Sequence, residues 1–426
     1  MSDPRRVSVI VVSRGRPRAL RLCLTGIAQL HHPAFEIVVV ADPAGIAAAR
    51  DWAVRRPVKL VPFDEPNISA ARNRGLAVAA GEIAAFIDDD AVPLPMWLHH
   101  LCAPFDDPSV AAAGGRVRGR NGISLQWGPR SVDHRGVAHD LPLNGTDPVI
   151  LHPEPGRAIK TEGTNMALRR DVVAGMGGFD PAYRFYLDET DLNLRLARAG
   201  HATALVPLAE VHHGYLESPR RSARRVPRDL REIAASQAVV LRRHCPEAER
   251  NSAQADFVRE QKRRLLVFMQ TGPLGPDDVR RLMTGLRDGL AEGRARTLAP
   301  PDPIPAPAEG FLRFPSLPPA DPLVLAGRAW SGRRLRARAA EAAAAGRRVS
   351  LYLFSPTGLW HRRQFMPEGY WLQKGGLFGR SERNDPLFRP WRFRDRVARE
   401  VERVSMQHGP GADSPGRENR RAGDGQ

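Results

Sequence analysis

The stretch Ile83-Ala84-Ala85-Phe86-Ile87-Asp88-Asp89-Asp90 is a continuous apolar run that ends in three carboxylates. Five apolar residues in a row read as a strand covered on both faces, the signature of a helix-flanked parallel sheet. Working outward confirms the alternation. Ser69 to Ala80 reads as a helix stopped by Gly81, and Val58–Val61 as a strand before it. Upstream come a short helix near Ala44–Arg55, a strand Glu36–Ala41, a helix from Pro17 to about Leu30 and a strand Val7–Val12. Such spacing predicts βαβ units and a Rossmann-like α/β fold, a mostly parallel central sheet flanked by helices. Ligands of such sheets bind beyond the carboxyl ends of the strands. Ser13-Arg14, Asp42 and Asp88-Asp89-Asp90 follow strands one, two and four, so the three sets converge on one crevice.

Three adjacent carboxylates raise each other's pKa and need a counter-charge. In an extended backbone side chains alternate, so Asp88 and Asp90 point one way and Asp89 the other. Two carboxylates on one side suit a hard divalent cation, Mn²⁺ or Mg²⁺. The plainer reading is an acidic turn.

The chain has 426 residues, 42% hydrophobic and 26% charged, enough for two or three domains. No run approaches the roughly 18 apolar residues of a membrane span. The N-terminal residues hold no apolar signal segment. Three scattered cysteines, Cys23, Cys102 and Cys245, suggest neither disulfides nor a zinc site. These features predict a cytoplasmic protein. The net charge of +17 is uneven: residues 1–218 hold 24 basic and 24 acidic residues, residues 219–301 hold 18 and 10, and residues 302–426 hold 22 and 13. A basic second half suits an anionic partner, such as a membrane surface, or simply solvated arginine-rich helix faces.

The organisation predicted is an α/β domain at 1–218, a basic helical extension at 219–298, a Pro-rich extended linker at 299–321, a small α/β unit at 322–405 and a disordered tail at 406–426. Within the first domain, 115–160 reads as loops and short strands. Thr164–Arg170 reads as a strand, Phe185–Ala199 as mostly helix, and Ala202–Pro207 as a strand leading to His212-His213.

Five blocks in order carry a resemblance. Ala71-Arg72-Asn73-Arg74-Gly75, then Gly81-Glu82 with Phe86-Ile87-Asp88-Asp89-Asp90, then Gly163-Thr164-Asn165-Met166-Ala167-Leu168-Arg169-Arg170, Gly177-Gly178-Phe179-Asp180 and Asp188-Glu189-Thr190-Asp191-Leu192-Asn193-Leu194-Arg195 resemble family 2 glycosyltransferases of the GT-A fold. The resemblance covers about residues 7–215. It implies metal-dependent transfer of a sugar from a nucleoside-diphosphate sugar, with inversion, to a glycan, lipid-linked or other glycoconjugate hydroxyl. Two departures stand out: Ala41-Asp42 replaces the family's paired aspartates after strand two, and Asp188-Glu189 exchanges the lengths of its Glu-Asp pair.

The resemblance places Glu189 as the base that takes the acceptor's proton, with Asp188 second and Asp191 on the same helix face, to hold the loop or contact the acceptor. Donor contacts fall to Ser13, Asp42, Arg72, Asp88 and Asn165. Arg72 serves a phosphate or orients a carboxylate. The metal falls to Asp90 and Asp88, with His212 completing the shell ahead of His213. Trp97 reads as core rather than as a sugar platform. Trp360-His361-Arg362 and Tyr370-Trp371-Leu372-Gln373-Lys374 mix aromatics with cations, which suits a sugar, phosphate or nucleic-acid surface, or an interdomain contact. A nucleotide-sugar-binding scaffold is the alternative of another class. A sugar nucleotidyltransferase is disfavoured by the single glycine of Ser13-Arg14-Gly15-Arg16-Pro17. Nucleic-acid binding is disfavoured by charge spread over helices rather than gathered in one block.

Overall fold

The computed structural model describes residues 4–54, 56–214, 217–317 and 322–409. Residues 318–321 of the expected linker and 410–426 of the expected tail lie outside them. The parallel half of the central sheet comprises Val7–Ser13 (β1), Phe35–Ala41 (β2), Lys59–Pro62 (β3) and Ile83–Asp88 (β4). It is followed by Ala91–Pro93 (β5), Val110–Arg118 (β6) and Leu125–Trp127 (β7). An excursion contributes Arg130–Asp133 (β8), Ala138–Asp140 (β9), Val149–Leu151 (β10) and Arg157–Ile159 (β11). Asn165–Arg169 (β12) and Ala202–His213 (β13) complete the set.

The sheet path runs β10-β13-β6-β12-β4-β1-β2-β3. Four of its seven pairings are parallel. The exception that matters is β12, inserted antiparallel between β4 and β6 with Asn165 opposite Ile87. Because β12 runs backwards, its start lies beside the end of β4. Gly163 and Thr164 are thereby delivered to the aspartates. Strand β6 (Val110-Ala111-Ala112-Ala113-Gly114-Gly115) is built of residues with low strand preference and is held by its neighbours.

Helix Pro17–Ile27 covers one face of the sheet through Leu20, Leu24 and Ile27. Helices Ile68–Val78 and Asp188–Arg198 cover the other through Ala71, Leu76, Leu192 and Leu196. The basic extension folds as three helices, Arg231–His244, Glu247–Gln270 and Pro276–Ala295, around Ala234, Phe257, Leu282 and Leu286. None of the helices in the described residues is long and apolar enough to cross a membrane.

The Pro-rich stretch is extended, as its composition requires, and it lies along the first domain as a strap. Ile304 N–H donates to Ala174 O at 2.9 Å, Leu312 N–H to Glu36 Oε2 at 2.8 Å and Phe314 N–H to Phe35 O at 2.7 Å. The Phe314 ring is buried against Phe35 and Trp52, with centroids 5.4 and 6.3 Å away.

The last unit is a second sheet: Leu323–Arg328 (β14), Val349–Ser355 (β15), Arg362–Phe365 (β16) and Trp371–Gly376 (β17), ordered β14-β15-β17-β16. β14, β15 and β17 are parallel, and helix Gly332–Ala344 makes the crossover between the first two. Phe365 and Trp371 pack on Val92 and Leu94 of the first domain. The expected tail does not begin at 406. Residues Ser405–His408 form a helical turn, His408 is buried, and Gln407 O accepts from Met96 N–H at 2.9 Å.

Truncating the strap's anchor tests its weight. Phe314→Ala removes a fully buried aromatic and should cost about 3 kcal/mol. Chemical denaturation followed by the fluorescence of the first domain should show a lowered midpoint. An unchanged midpoint would mean that the strap adds nothing to the domain.

Candidate active site

Arg72 is the hub. It sits in the second turn of helix Ile68–Val78, whose N-terminus is capped by Asn67 accepting from Ala70 N–H at 3.1 Å. The Arg72 side chain is buried, and Nη1 donates to Asp188 Oδ2 while Nη2 lies 3.7 Å from Asp88 Oδ1. Burial disfavours its charge, but Asp188 and Asp88 outweigh that and raise its pKa. The guanidinium lies over the Phe179 ring at 5.3 Å and against Gly163, where an added Cβ would meet Nη2 at 2.2 Å. The next residue, Asn73, clamps the Gly177-Gly178 turn. Its Nδ2 donates to Phe179 O at 2.7 Å and its Oδ1 accepts from Phe179 N–H at 2.8 Å. Of the two roles expected for Arg72, orienting a carboxylate is the one seen.

The three aspartates divide, but not by strand alternation: β4 ends at Asp88, and Asp89 and Asp90 lie in the turn after it, both reaching Arg16 Nη1. Asp88 Oδ2 accepts from Thr164 Oγ1. Asp89 turns inward, accepts from Ser13 Oγ at 2.7 Å and pairs with Arg16 Nη1 at 3.3 Å. Burial pushes the Asp89 carboxyl up to about 7 despite Arg16. Asp90 Oδ2 lies 3.1 Å from Arg16 Nη1, and Asp90 Oδ1 lies 3.1 Å from His213 Nε2. Ligand atoms of Asp88, Asp90 and His213 all fall within 4.8 Å of one another.

The histidine at this cluster is His213, not His212. Strand β13 continues through both residues, so their side chains take opposite faces. His213 Nδ1 meets Gln126 Oε1 at 2.9 Å, which orients the ring. His212 is buried edge-on against Trp371 at 4.7 Å, neither ring nitrogen has a hydrogen-bond partner, and burial drives its pKa well down.

Two expected donor contacts also move. Ser13 is spent on Asp89. Asn165 is fully buried: its Oδ1 accepts from Trp97 Nε1 at 2.7 Å and its Nδ2 donates to Arg116 O and Ala209 O at 2.9 and 2.8 Å. It joins β12 to β6 and β13 with both ends of its amide engaged by protein, and Trp97 is core as read. Asp42 is partly exposed and caps helix Pro43–Trp52, accepting from Gly45 N–H at 3.0 Å and Gly15 N–H at 3.1 Å.

The second carboxylate pair stands on a strained turn. Tyr186 (φ 75°) and Leu187 (φ 65°) are both left-handed just before helix Asp188–Arg198. Two consecutive non-glycine residues in that region are costly, and such strain gathers at functional sites. Glu189 Oε1 lies 3.1 Å from Lys160 Nζ, which also lies 3.7 Å from Glu162. Burial opposes ionisation of Glu189, but Lys160 and Arg72 hold its carboxyl well down, whereas burial and the neighbouring Glu189 push Asp188 up. Asp191 faces away from this pair. It is buried between Arg195 Nε and His244 Nε2, each at 2.8 Å, and Arg195 continues to Met176 O at 3.1 Å. Asp191 therefore holds the turn and the helical extension, not an acceptor.

Lys160, Thr164, Arg16 and Gln126 escaped the sequence reading. Each is distant in sequence from its partner, and only Thr164 sits in one of the five blocks.

The profile described as "Glycosyltransferase like family 2" matches residues 4–235. O-antigen biosynthesis protein RfbC of Myxococcus xanthus is 29% identical over 242 residues, 52% of this chain and 18% of that protein. Pre-mycofactocin glycosyltransferase of Mycobacterium tuberculosis is 29% identical over 220 residues, 50% of this chain and 43% of that protein. The chain thus spans less than half the length of each of these relatives. Among solved structures, the mannosyltransferase PcManGT of Pyrobaculum calidifontis in complex with GDP-Man and Mn²⁺ aligns over 68% of this chain and 88% of its own, at 18% identity and a TM-score of 0.42. S. aureus TarS 1-349 in complex with UDP-GlcNAc aligns over 67% and 80%, at 16% identity and a TM-score of 0.44.

Replacing Asn165 by alanine strands two buried carbonyls and the Trp97 N–H. Stability should fall by about 2–4 kcal/mol. Where the variant still folds, nucleotide-sugar affinity per folded molecule should equal that of the wild type by titration calorimetry. A selective loss of affinity at full stability would return Asn165 to the binding site.

Proposed function

Since the chain belongs to the glycosyltransferase like family 2, we propose that it transfers a sugar from a nucleoside-diphosphate sugar to a hydroxyl of a glycan, lipid-linked or other glycoconjugate acceptor, with inversion at the anomeric carbon. One observation carries the reading: buried Arg72 bridges the Asp88, Asp90 and His213 cluster to the Asp188-Glu189 pair. A leaving-group site and a base are thereby held side by side. The relative named for O-antigen biosynthesis supports a polysaccharide or glycoconjugate acceptor.

Asp88, Asp90 and His213 would hold the divalent cation, Mn²⁺ or Mg²⁺, two hard oxygens and one imidazole being a donor set that both accept. Bound there, the cation supplies Lewis-acid stabilisation of the leaving diphosphate. Arg16 faces the same carboxylates, and Arg221 lies within their field. Both cations suit the diphosphate oxygens. Asp42 and the backbone around Gly15 border the crevice where the base would lie. Glu189, kept ionised by Lys160, accepts the acceptor's proton. Being a weak base, it takes that proton as the new C–O bond forms. Asp188, clamped by Arg72, fixes the turn that presents Glu189. The positive excess after residue 218 supports peripheral attachment to the cytoplasmic face of an anionic membrane, where lipid-linked acceptors are presented.

Transfer and donor hydrolysis measured with Mn²⁺ across a nucleotide-sugar panel test the reading. Glu189→Gln should lower kcat by about a thousand-fold with donor binding kept. Wild-type binding of donor without metal-dependent turnover would instead support a nucleotide-sugar-binding scaffold. The histidines give a sharper contrast. His213→Ala should weaken Mn²⁺ binding by about ten-fold or more. His212→Ala should leave Mn²⁺ affinity nearly unchanged and lower thermal stability. The reverse pattern, read by calorimetry and thermal melts, would overturn the assignment of His213.

A further inference from the structure

A cleft of about 880 Å³ lies in the C-terminal unit and away from the aspartates. It opens where β15 ends at Ser355 and β17 at Lys374-Gly375, against the first turns of helix Gly332–Ala344. This is the carboxyl end of three parallel strands, the edge at which open α/β sheets take ligands. Its size falls within the usual range of small-molecule sites. The family profile ends at residue 235, well before this unit.

The wall carries four cations, Arg333, Arg336, Arg362 and Lys374, and no carboxylate. All four are exposed. Among the described residues, no side-chain hydrogen bond or ion pair joins any of them to a partner. In the helical extension, three exposed arginines pair with an aspartate three residues earlier, Arg259 with Asp256, Arg280 with Asp277 and Arg281 with Asp278, while Lys262 and Arg263 are exposed without such a partner. Helix Gly332–Ala344 has the opposite arrangement. It starts with no side-chain cap and no acidic residue in its first turn, and Arg333 and Arg336 stand at the positive end of its dipole. Like charge at that end is unfavourable, and a bound anion relieves it.

The aromatic residues of this unit are sorted between two faces. Phe365 and Trp371 are buried against the first domain. Trp360 lines the cleft, 49% exposed, with Arg380 over its ring at 5.2 Å. A flat apolar surface thus stands beside the unpaired cations.

We propose that this cleft binds a phosphorylated small molecule, its phosphate or diphosphate on Arg333, Arg336, Arg362 and Lys374 and its ring, sugar or base, on Trp360. The site is separate from the crevice at Asp88 and Asp90. The test titrates the full chain in EDTA with three probes, inorganic pyrophosphate, UDP and glucose 1-phosphate, by calorimetry. Asp90→Ala serves as a background that disables the other crevice. At least one probe should bind saturably to both proteins. Arg333→Ala/Arg336→Ala, and separately Lys374→Ala, should weaken it by about ten-fold or more with unchanged circular dichroism and thermal midpoint. Trp360→Ala should weaken UDP or glucose 1-phosphate and spare pyrophosphate. The probe that binds tightest identifies the source of the phosphate. The proposal fails if no probe binds, or if binding is lost in Asp90→Ala and survives the cleft substitutions. It also fails if these residues are needed only for phosphatidylglycerol vesicles or an oligonucleotide.

Discussion

A guanidinium buried between two carboxylates organises this molecule. Arg72 cannot be solvated where it lies, so Asp188 and Asp88 must stay beside it. Removing one member of such a group leaves a buried charge uncompensated, at about 3–5 kcal/mol. The constraint reaches outward. Gly163 must lack a side chain because Arg72 occupies the space. Phe179 must be aromatic enough to lie beneath the guanidinium and edge-on to Phe86, at 5.3 Å. Asn73 then fixes the turn that delivers Phe179. Residues far apart in the chain meet because one cation needs them all.

The same economy separates the two chemical tasks of the crevice. Asp88 is the part-exposed member, while Asp89 and Asp90 are both drawn in by Arg16, Asp89 also by Ser13 and Asp90 by His213. Glu189 is held ionised by Lys160, while Asp188 is withdrawn into the Arg72 pair. Two left-handed residues, Tyr186 and Leu187, keep the helix start in a posture an unstrained loop would abandon. That strain persists because Arg72 and Lys160 pull on the two carboxylates that follow it.

Much of the fold was legible because apolar runs and glycine or proline punctuation act locally. β1 to β4, the helices between them and the β14-helix-β15 unit follow from such signals. The blocks at 71–75, 163–170 and 188–195 likewise marked which segments form the crevice. Their individual roles were less legible. Asn165 and Asp191 belong to these blocks yet are buried, because a block is preserved in pattern by packing as much as by chemistry. The histidine was misassigned because β13 extends past Pro207 to His213, and one residue of strand register flips the face. Strand β6 escaped because Ala and Gly carry little strand preference, and its pairing is imposed by β12 and β13. Lys160 and Arg16 act across the fold, where spacing is silent.

Strand β13 also explains why the residues beyond the family's extent are not an appendage. One of its faces presents His213 to the aspartates, and the other presents His212 to Trp371 of the C-terminal unit. The strap closes the far side of the same domain over Phe35 and Trp52. Without the C-terminal unit and the strap, Val92 and Leu94 on one side and Phe35 and Trp52 on the other would lose the apolar side chains that cover them. A unit with its own cleft is therefore packed, through Trp371 and Phe365, on strands that border the crevice at Asp88 and Asp90.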